Sequence, residues 1–301
     1  MEQPPGFKDS KNPDFVCKLN KFLYGLKQAP RAWFNRLSQY LLHIGFICSI
    51  VDPSLFILRN DHMVILMLIY VDDIVLTGNN DTYINLLINK LGKEFALKDL
   101  GEFHFFLGIE VQRNQQGPTL SQIQYAKELL HKAGLLDSTH YKTPMALKSQ
   151  MTPRDSDPVN ATEYSLVGAL QYLTYTRPDI VHAVNKVCQT LQNPTFGDMK
   201  AVKRILRYLK GTLHFGISFL KHSSLSLYGF CDADWAGCPT TRRSTTGYCI
   251  FLGANCISWS SKKQPTISRS STVAEYRALA STTAELVWIQ FLLRDIGILL
   301  H

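Results

Sequence analysis

The sequence predicts an α+β protein, and three stretches carry that expectation. Met63–Gly78 (MVILMLIYVDDIVLTG) sets short apolar runs on either side of Asp72-Asp73, which reads as strand, sharp turn, strand. Leu225–Asp234 alternates, so Tyr228, Phe230, Asp232 and Asp234 share one strand face. Thr246–Leu252 and Cys256–Ser260 add two strands, with Gly253-Ala254-Asn255 as the turn between them. Thr272–Arg294 and Asp198–Lys210 instead carry apolar residues at helical spacing. These are Leu279, Leu286, Ile289 and Leu293 in the first, and Val202, Ile205, Leu206 and Leu209 in the second.

The bulk numbers bound the protein class. The 301 residues suffice for two or three compact units. A content of 46% hydrophobic and 19% charged residues excludes wholesale disorder. The net charge of +8 favours an anionic partner such as nucleic acid. Seven cysteines without a CxxC pair argue against a disulfide framework or a zinc knuckle and suit a reducing compartment. MEQPPGFKDS lacks the apolar core of a signal peptide, and no apolar run approaches the ~18 residues of a membrane span. The expectation is an intracellular protein, cytoplasmic or nuclear and not secreted, with no membrane partner. There the glycosylation acceptor Asn160-Ala161-Thr162 is a chance match.

Along the chain, Pro4-Pro5-Gly6 marks a loop and Phe15–Leu19 a short apolar stretch. In Leu23–Leu37, Gly25 permits a turn and Pro30 suits a first helical turn, while Trp33, Phe34 and Leu37 recur at helical spacing. An amphipathic helix explains the aromatics but not Lys27, Gln28 and Arg31 at its entrance. Basic side chains and free backbone N–H groups there suit phosphates. At Asp72-Asp73 two readings stand: a solvated hairpin tip, or a hard-oxygen site for a divalent cation that relieves the repulsion between adjacent carboxylates.

The block LYGLKQAPRAW and the tetrad Tyr70-Val71-Asp72-Asp73 resemble signatures of copia-type LTR-retrotransposon polymerases. The likeness continues through Asp52-Pro53-Ser54-Leu55-Phe56, Leu97-Lys98-Asp99-Leu100-Gly101 and Phe106-Leu107-Gly108-Ile109-Glu110. It resumes in FCDADWAG, RRSTTGYCIFLG, ISWSSKKQPTISRSSTVAEYRALA and AELVWIQFLL. The resemblance implies a reverse-transcriptase palm and thumb over 1–141, a linker and helical connection over 142–223, and the first part of a ribonuclease H-like domain over 224–301. By pattern alone residues 97–101 read as a turn and 106–110 as an alternating strand, and the latter resemble the primer-holding hairpin. Ser121–Leu136, helical by periodicity and ending at Gly134, falls in the thumb. Lys142–Glu163, with three prolines, reads as a surface linker. Tyr164–Leu173 and Asp179–Gln192 read as helices separated by Thr176-Arg177-Pro178-Asp179, a segment that recurs in the family. Lys200, Lys203, Arg204, Arg207 and Lys210 give the 198–210 helix a basic face, either solvated or tracking a nucleic-acid backbone.

The resemblance also implies the chemistry. Asp72 and Asp73 hold Mg²⁺, or Mn²⁺ in its place, for two-metal phosphoryl transfer. Lys27, Gln28, Arg31 and Tyr70 lie against template and incoming nucleotide. Asp232 and Glu275 hold the nuclease metals, the latter through Glu275-x-x-Ala278; Thr272-x-x-Glu275 also reads as a capping box. Asp234 is a bystander, Val273 replaces an acid usual in the family, and Cys231 and Cys249 are small strand residues of the nuclease core. The implied partners are an RNA template, a DNA primer, their hybrid and other parts of a Pol polyprotein. The family pattern puts one more polymerase acid before Met1 and two nuclease acids beyond His301. The expectation is therefore a truncated, inactive copy with an exposed nuclease sheet edge. The alternative is a non-catalytic nucleic-acid-binding remnant that uses Lys27, Arg31 and Lys203–Lys210.

Overall fold

The computed structural model describes residues 2–18, 25–60, 62–95, 97–146, 153–160 and 164–300. Leu19, Leu23, Tyr24, Ala161, Thr162 and parts of the 142–163 stretch lie outside the described residues. Helices and antiparallel sheets form two units, Met1–Asp99 and Leu100–His301.

The first unit runs α1 (Ala29–His43), β1 (Ile47–Cys48), β2 (Leu55–Arg59), β3 (Val64–Tyr70), β4 (Asp73–Gly78) and α2 (Asp81–Phe95). Pro30 sits in the first turn of α1, where a missing N–H costs nothing. The four strands form an antiparallel meander in sequence order. Along β3 every second residue is buried, and Ile65, Met67 and Ile69 pack with Leu37 and Leu41 of α1 and Leu87 and Leu91 of α2. The sequence patterns above give no counterpart to α2, although its signals are ordinary. Asn80 Oδ1 accepts from the Tyr83 N–H at 2.9 Å, and Ile84, Leu87 and Leu91 follow at helical spacing. Phe95 closes the core edge-on against Trp33 and Tyr40, with ring centroids 5.3 and 5.2 Å away.

The second unit begins with β5 (Phe105–Phe106), β6 (Ile109–Arg113), β7 (Pro118–Ser121) and α3 (Ile123–Lys132). The strand expected across 106–110 is broken by Leu107 and Gly108, at φ 48° and 72°, so the stretch turns back as a hairpin. Ser121 ends β7 rather than opening a helix, and α3 starts two residues later. Next come α4 (Leu166–Leu173), α5 (Val181–Cys188), α6 (Phe196–Gly211) and β8 (Ile217–Ser218). Helix α5 stops four residues short of the expected Gln192. Strand β8 pairs with β7, and α3, α4, α5 and α6 share one core through Leu130, Leu170, Val184 and Leu206.

The described part of the expected surface linker is largely exposed and is anchored at two points. Asp155 is only 3% exposed and receives Lys200 Nζ at 2.6 Å, and Pro158 bridges to Thr195. Gly197 lets the Asp155 backbone approach, since a Cβ there would meet it at 3.2 Å.

Arg177 explains the Thr-Arg-Pro-Asp segment as structure. It is 3% exposed, grips Asp179 in a fork at 2.9 and 2.7 Å, and donates to the Thr212 carbonyl (3.0 Å) and hydroxyl (2.7 Å) at the end of α6. Tyr208 and Phe215 stack against the guanidinium, and the Tyr208 hydroxyl donates to Asp179 at 2.8 Å.

The chain ends with β9 (Leu227–Asp234), β10 (Thr245–Leu252), β11 (Asn255–Lys263) and α7 (Ser271–Asp295). The sheet order is β11-β10-β9. Helix α7 covers one face through Ala274, Ala278, Ile289 and Leu293 against Ala233 and Ile250.

Candidate functional site

The hairpin between β3 and β4 is closed by the Tyr70–Asp73 pair, which leaves a loop of two residues, Val71 and Asp72. Val71 adopts φ 53° while Asp72 does not have positive φ. A positive φ at the first loop residue alone is the type II′ pattern, a place normally held by glycine. The apolar arms end flush with the turn, so Asp72 and Asp73 are exposed and Tyr70 is 55% exposed. Trp33 Nε1 donates to the Val71 carbonyl at 3.0 Å. The first turns of α1 thus meet the hairpin tip. Lys27, Gln28 and Arg31 are all exposed at that end of α1, and Gln28 is the N-cap without a side-chain capping bond. The sequence reading assigned Trp33 only to the core; the motif spacing carries no sign of its polar contact.

Two adjacent carboxylates fit a hard divalent cation in donor chemistry. They fall short in number: among the described residues no group of three His, Cys, Asp or Glu side chains is arranged to hold a metal.

On β9, alternation puts exposed Asp232 on the face opposite buried Ala233. Ala233 packs on Ala274 and Ala278, so each of Asp232 and Glu275 lies one residue from that contact. Glu275 is exposed. It forms no capping box with Thr272. The N-cap is Ser270, whose Oγ accepts from the Val273 N–H at 3.2 Å, because α7 begins one residue earlier than the pattern implied. Ser270→Ala should therefore cost about 1 kcal/mol in urea unfolding, and Thr272→Ala much less. Asp234 accepts from the Thr245 N–H at the end of the β9–β10 pair, a structural task.

The loop before α7 is pinned from inside. Gln264 is 4% exposed; its Nε2 donates to Thr246 Oγ1 (3.1 Å) and the Ala274 carbonyl (3.0 Å), and its Oε1 accepts from Ser268 at 2.8 Å. Trp235 Nε1 and Arg277 also hold this loop, by donating to the carbonyls of Ser268 and Thr266. Gln264 was absent from the sequence reading because a glutamine among polar residues looks like surface.

The basic face of α6 is partly engaged within the chain, while Lys203 is exposed. Arg204 and Arg207 stack on Tyr141 with guanidinium carbons 4.7 and 4.0 Å from the ring centre. Arg207 also donates to the Thr139 carbonyl at 2.6 Å, Lys210 donates to the Ser138 carbonyl, and Lys200 binds Asp155. These cations hold the 138–143 loop and the 153–156 turn. Among the cysteines, burial acts to raise the Cys238 thiol. Hydrogen bonds from Thr241, Lys263 and the backbone at 240–241 outweigh that and lower it to about 6.

Residues 1–147 match the family model described as reverse transcriptase (RNA-dependent DNA polymerase). The chain is 48% identical, over 99% of its length, to a retrovirus-related Pol polyprotein from transposon RE1 of Arabidopsis thaliana, of which it covers 20%. It is 31% identical to a putative transposon Ty5-1 protein of Saccharomyces cerevisiae, over 95% of this chain and 94% of that one. The chain belongs to the copia-type retrotransposon Pol family. Its first 147 residues are a reverse transcriptase domain, a family that uses a divalent metal and acts on nucleic-acid templates. This Pol segment is also 54% identical to an uncharacterized mitochondrial protein of Arabidopsis thaliana, over 74% of the segment and 93% of that protein. It spans about a fifth of the length of the Arabidopsis Pol polyproteins. No solved structure matches it.

Proposed function

We propose that this Pol segment copies RNA into DNA within a longer polyprotein. The observation that carries the reading is the Asp72–Asp73 tip, set at the end of two apolar strands and touched by the Leu-Lys-Gln-Ala-Pro-Arg-Ala-Trp block. In this reading the first unit is the palm, and Asp72 and Asp73 would hold Mg²⁺, which supplies charge neutralisation to the transferring phosphoryl group. Lys27, Gln28, Arg31 and Tyr70 face template and nucleotide. The β5–β6 hairpin holds the primer, α3 belongs to the thumb over 1–141, and residues 142–223 connect it to a ribonuclease H-like domain over 224–301. There Asp232 and Glu275 act on the RNA of the hybrid. The setting is intracellular.

A second reading, hybrid binding without turnover, is favoured by the shortage of ligands: two carboxylates at the tip and, among the described residues, no third ligating side chain grouped with them.

One assay separates the two. The 301-residue chain is given an RNA template, a DNA primer, nucleotides and Mg²⁺. Extension that vanishes in Asp72→Asn, with hybrid binding retained, is the expected result of the first reading. Salt-dependent hybrid binding with no extension supports the second. Neither binding nor extension overturns both.

A further inference from the structure

Val71 stands in a conformation that β-branched residues avoid. At φ 53° its Cβ crowds the backbone, and a β-branched residue there is a true outlier. Such a conformation persists only where its surroundings over-determine it. The neighbouring turn residues supply little restraint, since Asp72 and Asp73 are exposed and Val71 is itself 53% exposed. A polar contact to the Val71 backbone comes from outside the hairpin, where the Trp33 indole N–H meets the carbonyl at 3.0 Å. Trp33 is in turn held edge-on against Phe95 at 5.3 Å, and Phe95 against Tyr40. A rigid aromatic stack thus presents one donor to one strained peptide.

We infer that Trp33 is a positioning residue: its N–H keeps Val71 left-handed and so fixes the direction in which the two carboxylates leave the turn. Without that bond the turn relaxes toward a conformation that suits valine, and Asp72 swings with it. This inference rests on the reading of Asp72 and Asp73 as a metal-holding pair, but its geometric half stands apart from that reading.

The test is a set of four full-length chains: wild type, Trp33→Phe, Val71→Gly and the double variant. Phenylalanine keeps a ring against Phe95 and removes the donor. Glycine takes positive φ without strain and so removes the need for a clamp. Two quantities are read: hydrogen exchange of the 70–74 amides by mass spectrometry, and Mn²⁺ affinity by water-proton relaxation, with Asp72→Asn as the control for binding at the tip. Trp33→Phe should speed exchange and weaken Mn²⁺ about five- to tenfold, the scale of one lost hydrogen bond. Adding Val71→Gly to Trp33→Phe should restore most of that loss. Unchanged exchange in Trp33→Phe, or no rescue by glycine, overturns the clamp. If Asp72→Asn leaves Mn²⁺ binding untouched, the metal reading fails, and the exchange data still decide for or against the clamp.

Discussion

Arg177→Ala is expected to lower the stability of the second unit by about 2–3 kcal/mol, the scale of losing a buried cation's charge-assisted hydrogen bonds to a carboxylate that stays partly in contact with water. The loss has three parts in the structure. Asp179, its side chain 30% exposed, loses its fork of donors and keeps Tyr208, the Thr212 carbonyl at the end of α6 loses its donor from Arg177, and Tyr208 and Phe215 lose the cation between them. Arg177→Lys keeps the charge but loses the planar fork, so it should recover only part of the difference. Urea unfolding followed by tryptophan fluorescence measures this, since Trp235, Trp259 and Trp288 lie in the second unit. The pH dependence gives an independent check. Burial acts to raise the Asp179 carboxyl, but the hydrogen bonds and charge of Arg177, with the Tyr208 hydroxyl, hold it below the ordinary 3.8. A depressed carboxyl stabilises the fold above its unfolded value and loses that contribution as pH falls through the folded one. The gap between wild type and Arg177→Ala should therefore be full at pH 6 and narrow below pH ~4. A gap that stays constant down to pH 2 would show that the ion pair is not its source.

Gln264→Leu should cost about 2–3 kcal/mol, because it removes three buried hydrogen bonds at once. The Ala274 carbonyl, Thr246 Oγ1 and Ser268 Oγ each lose a hydrogen bond, Ser268 keeping the one from Arg277. Leucine is close in size, so the cost comes from unpaired polarity rather than from a cavity. The effect should be local first. Faster hydrogen exchange at the start of α7 and in the 264–268 loop should precede global unfolding. If hybrid cleavage is measurable, it should fall with the same variant, because Glu275 follows directly on the residue that Gln264 holds. Gln264→Glu tests the polarity argument separately: it keeps the acceptor for Ser268 but cannot donate to the Ala274 carbonyl.

Much of the fold was legible in the sequence because its signals are periodic. The β3–β4 hairpin, the β9 alternation and the long last helix all follow from residue spacing, and each stands within a few residues of its expected bounds. What escaped notice was short or non-local. Two-residue strands such as β5 and β8 have no periodicity to read, and β8 exists only because β7 offers it an edge. Helix α2 has no counterpart among the motifs, although Ile84, Leu87 and Leu91 stand at ordinary helical spacing. The candidate site divides in the same way. Asp72 and Asp73 were legible from motif and spacing. That Lys200, Arg204, Arg207 and Lys210 are spent on the chain's own carbonyls, carboxylate and aromatic ring was not, because charge patterning cannot tell a solvated cation from one that closes a loop.

The late arrival of β8 has a consequence for synthesis. Strand β7 ends at Ser121, and its partner comes nearly a hundred residues later, in the Thr119–Ser218 and Leu120–Ile217 pairs. The core shared by α3 and α6 spans a similar distance. Contacts that far apart in sequence form slowly and only after the later segment exists. On a translating ribosome the first unit, whose contacts close within Met1–Asp99, can fold while β7 still shows an open edge. A nascent chain halted between α3 and β8 would hold that edge bare, with Leu120 paired to Val111 on one side only, and would be a preferred substrate for chaperones or a seed for strand addition by another copy.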